Sequence, residues 1–435
     1  EHRLYLPSVG FFIFAAAVFI YLAGRLSGAR EGRAELSKGA LVLVLIVILI
    51  LSLLSLRRNS LWSDEVRLWE DVVHKSPANS MAHNNLGLAY SVAGDNGAAM
   101  EYYRLALSLD TFNVSAHNNM AKIYLEEGDS ALALRHYLKA IELSPTSPGF
   151  YYNVALVYFK KKDYKSALLY IKEAIRLYPG SSLYTQKLAD IYQASGRGGD
   201  ALAQYKEALS INPKNVHVHN NIANFYNKLG DSVNAVKHYK EAIALAPEAD
   251  EAYFNLAGLY RSGGKTDIAL TNYNEAIRLA PERGEYYLAL GDLYQELGKA
   301  LEAEINYKET IRLAPGLEDA YINLATIYFA RGSYDEAVIY FKKAEEINPE
   351  SDDTHYNLGT TYRALGRLPL AKEHYLESIR ISPNSADAHF QLGLIYAGEK
   401  RPGEAKNEFK EALRIKPGFK GAAEELKKLK TRDKR

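Results

Sequence analysis

The chain has 435 residues, 48% of them apolar and 24% charged, a composition that excludes a disordered or collagen-like polymer. Its 53 Lys and Arg balance 52 Asp and Glu, so there is no general basic field to hold nucleic acid, which is excluded as a main partner. The absence of Cys excludes disulfides, thiolate metal sites and a cysteine nucleophile, and 33 Tyr against 14 Phe and 2 Trp suggest one structural position filled repeatedly by one residue type.

Residues 1–58 read as a membrane segment. Leu4 to Gly24 is an uncharged run that includes Phe11, Phe12, Val18 and Ile20, long enough for ~30 Å of hydrocarbon, and Ala40 to Leu56 is a second run of mostly Leu, Val and Ile. Arg57 and Arg58 close it, with Trp62 suited to an interface. Two transmembrane helices are therefore expected, at about 4–24 and 40–56, with the lipid bilayer as a partner and an integral membrane localisation. Basic residues flank both sides equally: Arg25, Arg30, Arg33 and Lys38 between the runs, Arg3, Arg57, Arg58 and Arg67 outside them. Their count sets no orientation. The chain opens on Glu1 directly before a hydrophobic run, which suggests the C-terminal part of a longer polytopic protein.

Residues 59–77 are expected to connect this segment to a repeat array, with Asp64 to Pro77 as the second helix of a degenerate unit. From there a 34-residue register runs without insertion: Pro77, Pro145, Pro179, Pro213, Pro247, Pro281, Pro315, Pro349, Pro383 and Pro417 fall on one series, and Thr111 fills the one place in it without Pro. With the closing Pro as position 32, position 11 is Tyr in all ten units, from Tyr90 to Tyr396. Position 20 is Ala in all ten, from Ala99 to Ala405, as two closely crossing helices require. Position 15 is Gly in eight, where a first helix must end in a left-handed residue, and is Lys162 and Lys400 in the others. Gly418 to Lys430 reads as a capping helix, followed by a basic tail, within 418–435.

Period and pattern together resemble the tetratricopeptide repeat, a helix-turn-helix unit. The resemblance implies an all-α fold: two transmembrane helices, then a right-handed solenoid of ten 34-residue units over 78–417 with a C-terminal capping helix.

Position 6 carries Asn in seven units: Asn85, Asn119, Asn153, Asn221, Asn255, Asn323 and Asn357, with Lys187 and Ala289 interrupting the row and Gln391 in the tenth unit. Positions 2, 6, 9 and 13 form a helical stripe distinct from the packing stripe and are expected to line a concave groove. Asn is roughly 0.5 kcal/mol worse than Ala inside a helix, so a repeated compensating role is expected. A side-chain amide offers donor and acceptor together and can bond the N–H and C=O of an extended peptide of any sequence. The seven Asn are the candidate peptide-binding residues, and protein or peptide clients the expected partners. An ordinary bond between neighbouring repeats is the alternative role for these side chains.

His83, His117, His219, His355 and His389 share position 4 but lie on different repeats, so packing accounts for them better than a zinc site, which needs converging ligands. Gly263-Gly264-Lys265-Thr266 lacks the first Gly of a phosphate loop and falls on a helix-helix turn. No catalytic residue, metal ligand or cofactor is assigned.

Two further resemblances bear on function. The Asn row resembles the asparagine ladder in the repeats of O-linked N-acetylglucosamine transferase, which binds substrate backbone. Arg3-Leu4-Tyr5-Leu6-Pro7-Ser8-Val9-Gly10-Phe11, with Trp62-Ser63-Asp64-Glu65 and Leu68-Trp69, resembles transmembrane and tetratricopeptide-repeat-containing O-mannosyltransferases and their bacterial relatives. That likeness implies a multi-span glycosyltransferase using a lipid-linked sugar donor, its catalytic acidic residues before Glu1, residues 25–38 cytoplasmic and the repeats extracytoplasmic. The expected role is recruitment of protein substrates for such a transferase. The alternative is a non-enzymatic membrane scaffold that assembles an envelope or secretion complex.

Overall fold

The computed structural model describes residues 64–432 and the single residue Ile46. Among the described residues it is all helix and turn, with 22 helices. They fall into two compact units divided after Gly196.

The first unit holds α1 (Glu65–Lys75), α2 (Ser80–Val92), α3 (Asn96–Leu109), α4 (Val114–Glu126), α5 (Ser130–Leu143), α6 (Pro148–Lys160), α7 (Tyr164–Leu177) and α8 (Ser182–Ala194). The second holds α9 (Gly198–Ile211), α10 (Val216–Lys228), α11 (Ser232–Leu245), α12 (Asp250–Ser262), α13 (Thr266–Leu279), α14 (Gly284–Glu296), α15 (Ala300–Leu313), α16 (Glu318–Ala330), α17 (Tyr334–Ile347), α18 (Asp352–Ala364), α19 (Leu368–Ile381), α20 (Ala386–Gly398), α21 (Pro402–Ile415) and α22 (Lys420–Arg432). Within each unit a repeat's first helix packs most extensively on the second helix that follows it, and the second helix packs on the next repeat. That is the connectivity of a helix-pair solenoid.

The turns explain the register. In the first repeat Gly94 stands at φ +86°, the Asp95 N–H donates to the Tyr90 carbonyl at 2.9 Å, and the Asp95 side chain then accepts from the Ala98 N–H. One residue thus closes a Schellman turn and caps the next helix. Asp129, Asp163 and Asp231 repeat the cap, while Asn79, Asn113 and Asn215 cap first helices.

Position 20 is fully buried in all ten repeats, from Ala99 to Ala405. The largest buried rings, however, are at position 24 rather than position 11: Tyr103, Tyr205, Tyr239, Tyr307 and Tyr375, with Phe341 and Phe409. Most position-11 tyrosines are half-buried, and several stack on the side chain at position 23, as Tyr90 does on Tyr102 and Tyr328 on Tyr340, each at 5.4 Å and 3°. Two aromatic positions, not one, account for the Tyr excess.

The expected fold class and localisation are corrected at one point. Among the described residues no helix is long and apolar enough to cross a membrane. Individual helices reach 14 residues, about 21 Å at 1.5 Å per residue, against ~30 Å of hydrocarbon. Apart from Ile46, the runs at 4–24 and 40–56 lie outside the described residues. The fold is an all-α repeat solenoid, and the two transmembrane helices, with the integral membrane localisation drawn from them, are not supported.

Candidate functional site

The structure places the seven asparagines on the first helices, one per repeat, each half-buried. Several of them bond to the neighbouring repeat. In the first unit Asn153 Nδ2 donates to Asn118 Oδ1 at 3.0 Å, Asn118 Nδ2 to Asn119 Oδ1 at 3.3 Å, Asn119 Nδ2 to Asn84 Oδ1 at 3.2 Å, and Asn84 Nδ2 to Asn85 Oδ1 at 3.1 Å. Five amides on three repeats form one relay, in which Asn119 and Asn153 are each oriented through the position-5 Asn of the repeat before and Asn85 through Asn84 of its own repeat. Asn84 is 4% exposed, so its carbonyl needs that partner.

In the second unit Asn255 Nδ2 donates to Asn220 Oδ1 at 3.2 Å and Asn323 Nδ2 to Asp292 Oδ1 at 3.0 Å. Asn221 and Asn255 line a cleft of about 590 Å³ with Asn224, Phe254, Arg283 and Tyr286. Its walls are held: Phe254 stacks on Tyr286 at 4.5 Å, the Tyr286 hydroxyl donates to Asp250 at 2.6 Å, and Arg283 donates to Glu251 at 3.2 Å. Burial and the Asp250 bond hold the Tyr286 hydroxyl protonated far above the usual phenol range. Asp292 is pushed up chiefly by burial, against the bond from Tyr307, which donates to it at 2.9 Å.

The row is broken where the sequence breaks it. Lys187 turns to Asp190 at 2.8 Å and over the Phe159 ring at 5.2 Å, while Ala289 offers no polar group. Gln391 keeps a buried Oε1 with no hydrogen-bond partner among the described residues.

Position 4 has a role that sequence periodicity did not show. Each of its five histidines sets Nε2 against a carbonyl six residues earlier: His83 on Pro77 at 2.8 Å, His117 on Thr111 at 3.2 Å, His219 on Pro213 at 3.1 Å, His355 on Pro349 at 2.9 Å and His389 on Pro383 at 3.3 Å. Tyr151 and Tyr321 reach the equivalent carbonyls through their hydroxyls. A ring carrying a donor at its far end is what the position needs to tie a helix to the preceding turn.

In four of the five the other ring nitrogen meets position 23 of the same repeat, while His83 Nδ1 has no hydrogen-bond partner among the described residues. Nδ1 to Nδ1 distances are 3.0 Å for His117–His136, 3.1 Å for His219–His238 and 3.2 Å for His355–His374, while His389 Nδ1 meets Glu408 at 2.6 Å. Burial lowers His136 and His238 to about 4, helped by the neighbouring imidazole. The hydrogen bond to Glu408 raises His389. Position 23 was missed because its partner lies 19 residues away, in the facing helix. Glu345 joins one pair, 3.4 Å from His355 Nδ1 and 3.7 Å from His374 Nδ1.

Helix pairs of constant length, capped turns and a polar row along the first helices define a repeat solenoid that presents an interaction surface. The chain belongs to the tetratricopeptide repeat family. Matches to its repeat families cover residues 54–114, 121–162, 148–181, 189–230, 214–282, 254–318, 316–384 and 350–417. It is a protein-protein interaction module.

A protein O-mannosyl-transferase of Caenorhabditis elegans is 34% identical over 113 residues, which are 25% of this chain and 14% of that protein. The chain thus aligns with about a seventh of its curated relative. Among solved structures, YrrB, described as a TPR protein with an unusual peptide-binding site, is 23% identical over 44% of this chain and 100% of its own, with a TM-score of 0.40. MamA is 28% identical over 37% of this chain and 95% of its own, with a TM-score of 0.36.

Proposed function

We propose that the asparagine row binds the backbone of extended polypeptide clients, one side-chain amide per repeat, at Asn85, Asn119, Asn153, Asn221, Asn255, Asn323 and Asn357. The observation that carries this reading is the amide relay in the first unit. Each inter-repeat bond consumes one hydrogen of an Nδ2 that has two, and one lone pair of an Oδ1 that has two. Bonding between repeats and binding of peptide are therefore compatible, and the first sets the orientation for the second. Pre-set amides lose less side-chain freedom on binding.

The partial likeness to an O-mannosyl-transferase supports a narrower version, in which the clients are protein substrates brought to a sugar-transferring partner or domain. Assembly of clients without any transfer is the competing outcome.

The test is binding of an extended, labelled client peptide by fluorescence anisotropy. Replacing Asn85, Asn119 and Asn153 together by Ala should weaken it by ~1–3 kcal/mol, given a net ~0.5–1.5 per bond partly replaced by water. Methylating the peptide's backbone nitrogens should weaken it comparably, whereas changing its side chains should not. Unchanged affinity for either the triple variant or the methylated peptide would sink the proposal. Transfer of mannose to a bound client in the presence of membranes from the source cells separates recruitment from plain assembly.

A further inference from the structure

We propose that Glu345, His355 and His374 form a binding site for a divalent transition metal of the zinc class, held by two imidazole nitrogens and one carboxylate oxygen. The side chains come from three consecutive helices, α17, α18 and α19. Their donor atoms form a triangle with edges of 3.2 Å between the two Nδ1 atoms, 3.4 Å from His355 Nδ1 to Glu345 Oε1 and 3.7 Å from His374 Nδ1 to the same oxygen. In a tetrahedral site with bonds of about 2.0–2.1 Å, neighbouring donors stand about 3.3–3.4 Å apart. The triangle already has the size of three vertices of such a site.

The surroundings direct the donors inward. His355 Nε2 lies 2.9 Å from the Pro349 carbonyl, which places the proton there and leaves the Nδ1 lone pair facing the triangle. The same second contact orients metal-ligating histidines generally. Tyr362 stacks on the His374 ring at 5.4 Å and fixes its plane. Without a cation, the His355 Nδ1 lone pair and the Glu345 oxygen are two acceptors facing each other. His355 is buried while Glu345 keeps 29% of its side chain exposed, so a fourth vertex opens toward solvent, where water completes the site. Two imidazoles favour Zn²⁺ over Ca²⁺ or Mg²⁺, which take oxygen ligands.

A separate observation lies in the repeat register. Glu345 occupies position 28, which is Leu or Ile in the other nine repeats, from Leu107 and Ile141 to Ile379 and Leu413. A carboxylate in a packing position is unfavourable unless paired. It occurs in the one repeat that precedes the His355–His374 pair. The pairs His117–His136 and His219–His238 have Leu107 and Leu209 in that place, and among the described residues no other trio of His, Asp or Glu converges in this way.

Calorimetric titration of the full chain with ZnCl₂ should show one site of clear affinity per chain. Glu345→Ile restores the residue type of the other repeats, so it should fold and melt at least as high as the parent in chelator. Its affinity at this site should fall by about 100-fold or more, since losing even an outer-shell partner costs about 10–100-fold. Co²⁺ should give the intense visible bands of tetrahedral coordination with the parent chain and lose them in Glu345→Ile and in His374→Gln. No stoichiometric uptake of Zn²⁺ would overturn the proposal, and so would uptake unaffected by Glu345→Ile, which would place the metal elsewhere.

Discussion

Lys162 and Lys400 are the residues at which this chain departs most plainly from what its backbone requires. Both sit in the left-handed region, at φ +60° and +58°, at the turn position where the eight other repeats have Gly. An L-residue there loses roughly 1–2 kcal/mol to the clash of its Cβ with the carbonyl. Gly avoids the clash but gives up roughly 0.5–1 kcal/mol of chain entropy on folding. The clash therefore outweighs the entropy, and both lysine side chains are exposed and contribute no packing in return. Lys162→Gly should raise the stability of its repeat by roughly 0.5–1 kcal/mol. Amide hydrogen exchange across α6 and α7 should slow accordingly, and faster exchange would contradict the account.

Between helices the decisive distance is that from position 8 of the first helix to the ring at position 24 of the second. A Cβ on Gly359 would stand 2.8 Å from two atoms of the fully buried Tyr375 ring, and one on Gly393 as close as 2.6 Å to that of Phe409. Ala in place of Gly gains about 1 kcal/mol of helix propensity, but overpacking a filled core costs about 1–3. Gly359→Ala should thus be destabilising on balance, with a lower urea midpoint, while Gly398→Ala, at the exposed end of α20 with open space around it, should be neutral or better. Equal midpoints for the two variants would mean that the ring moves freely aside. This scale also separates what could be read in the sequence from what could not. The Pro, Gly and Ala of the register answer to local backbone and crossing requirements, so they recur in every unit and set the helix boundaries. Asn119 bonding Asn84, His117 meeting His136 and Glu345 meeting His355 are pairings across 35, 19 and 10 residues. They depend on which faces of different helices meet, which periodicity along one helix does not show. The membrane spans were a compositional reading, and no described helix provides one.

At the scale of the chain the half-buried histidine pairs make stability depend on pH with a definite sign. His136 in the first unit and His238 in the second are each lowered to about 4 from the ordinary 6.5, above all by burial. The unfolded chain then takes up protons that the folded chain refuses, so stability is complete above about pH 6.5 and is lost as pH falls toward 4. The charged and basic groups facing them reinforce this: His117 and Arg135 around His136, and His219, Lys237 and Lys206 around His238, with Glu241 the one carboxylate acting against it, while Tyr124 lies tilted against the His136 ring and Tyr226 stacks on that of His238. His389 works the other way, because Glu408 raises it, so its contribution is present in acid and lost as pH rises through its folded value. Two strongly lowered groups against one raised one leave a net loss on acidification. The melting temperature should fall between pH 6.5 and 4.5, before most carboxylates titrate. Tyr occupies the same repeat position at 102, 170 and 340, where it stacks on the position-11 ring, so His136→Tyr with His238→Tyr keeps that stacking and removes the titration. The double variant should show a flatter pH profile over this range with little change at pH 7.5. A profile as steep as the parent's would place the acid sensitivity in groups other than the paired histidines.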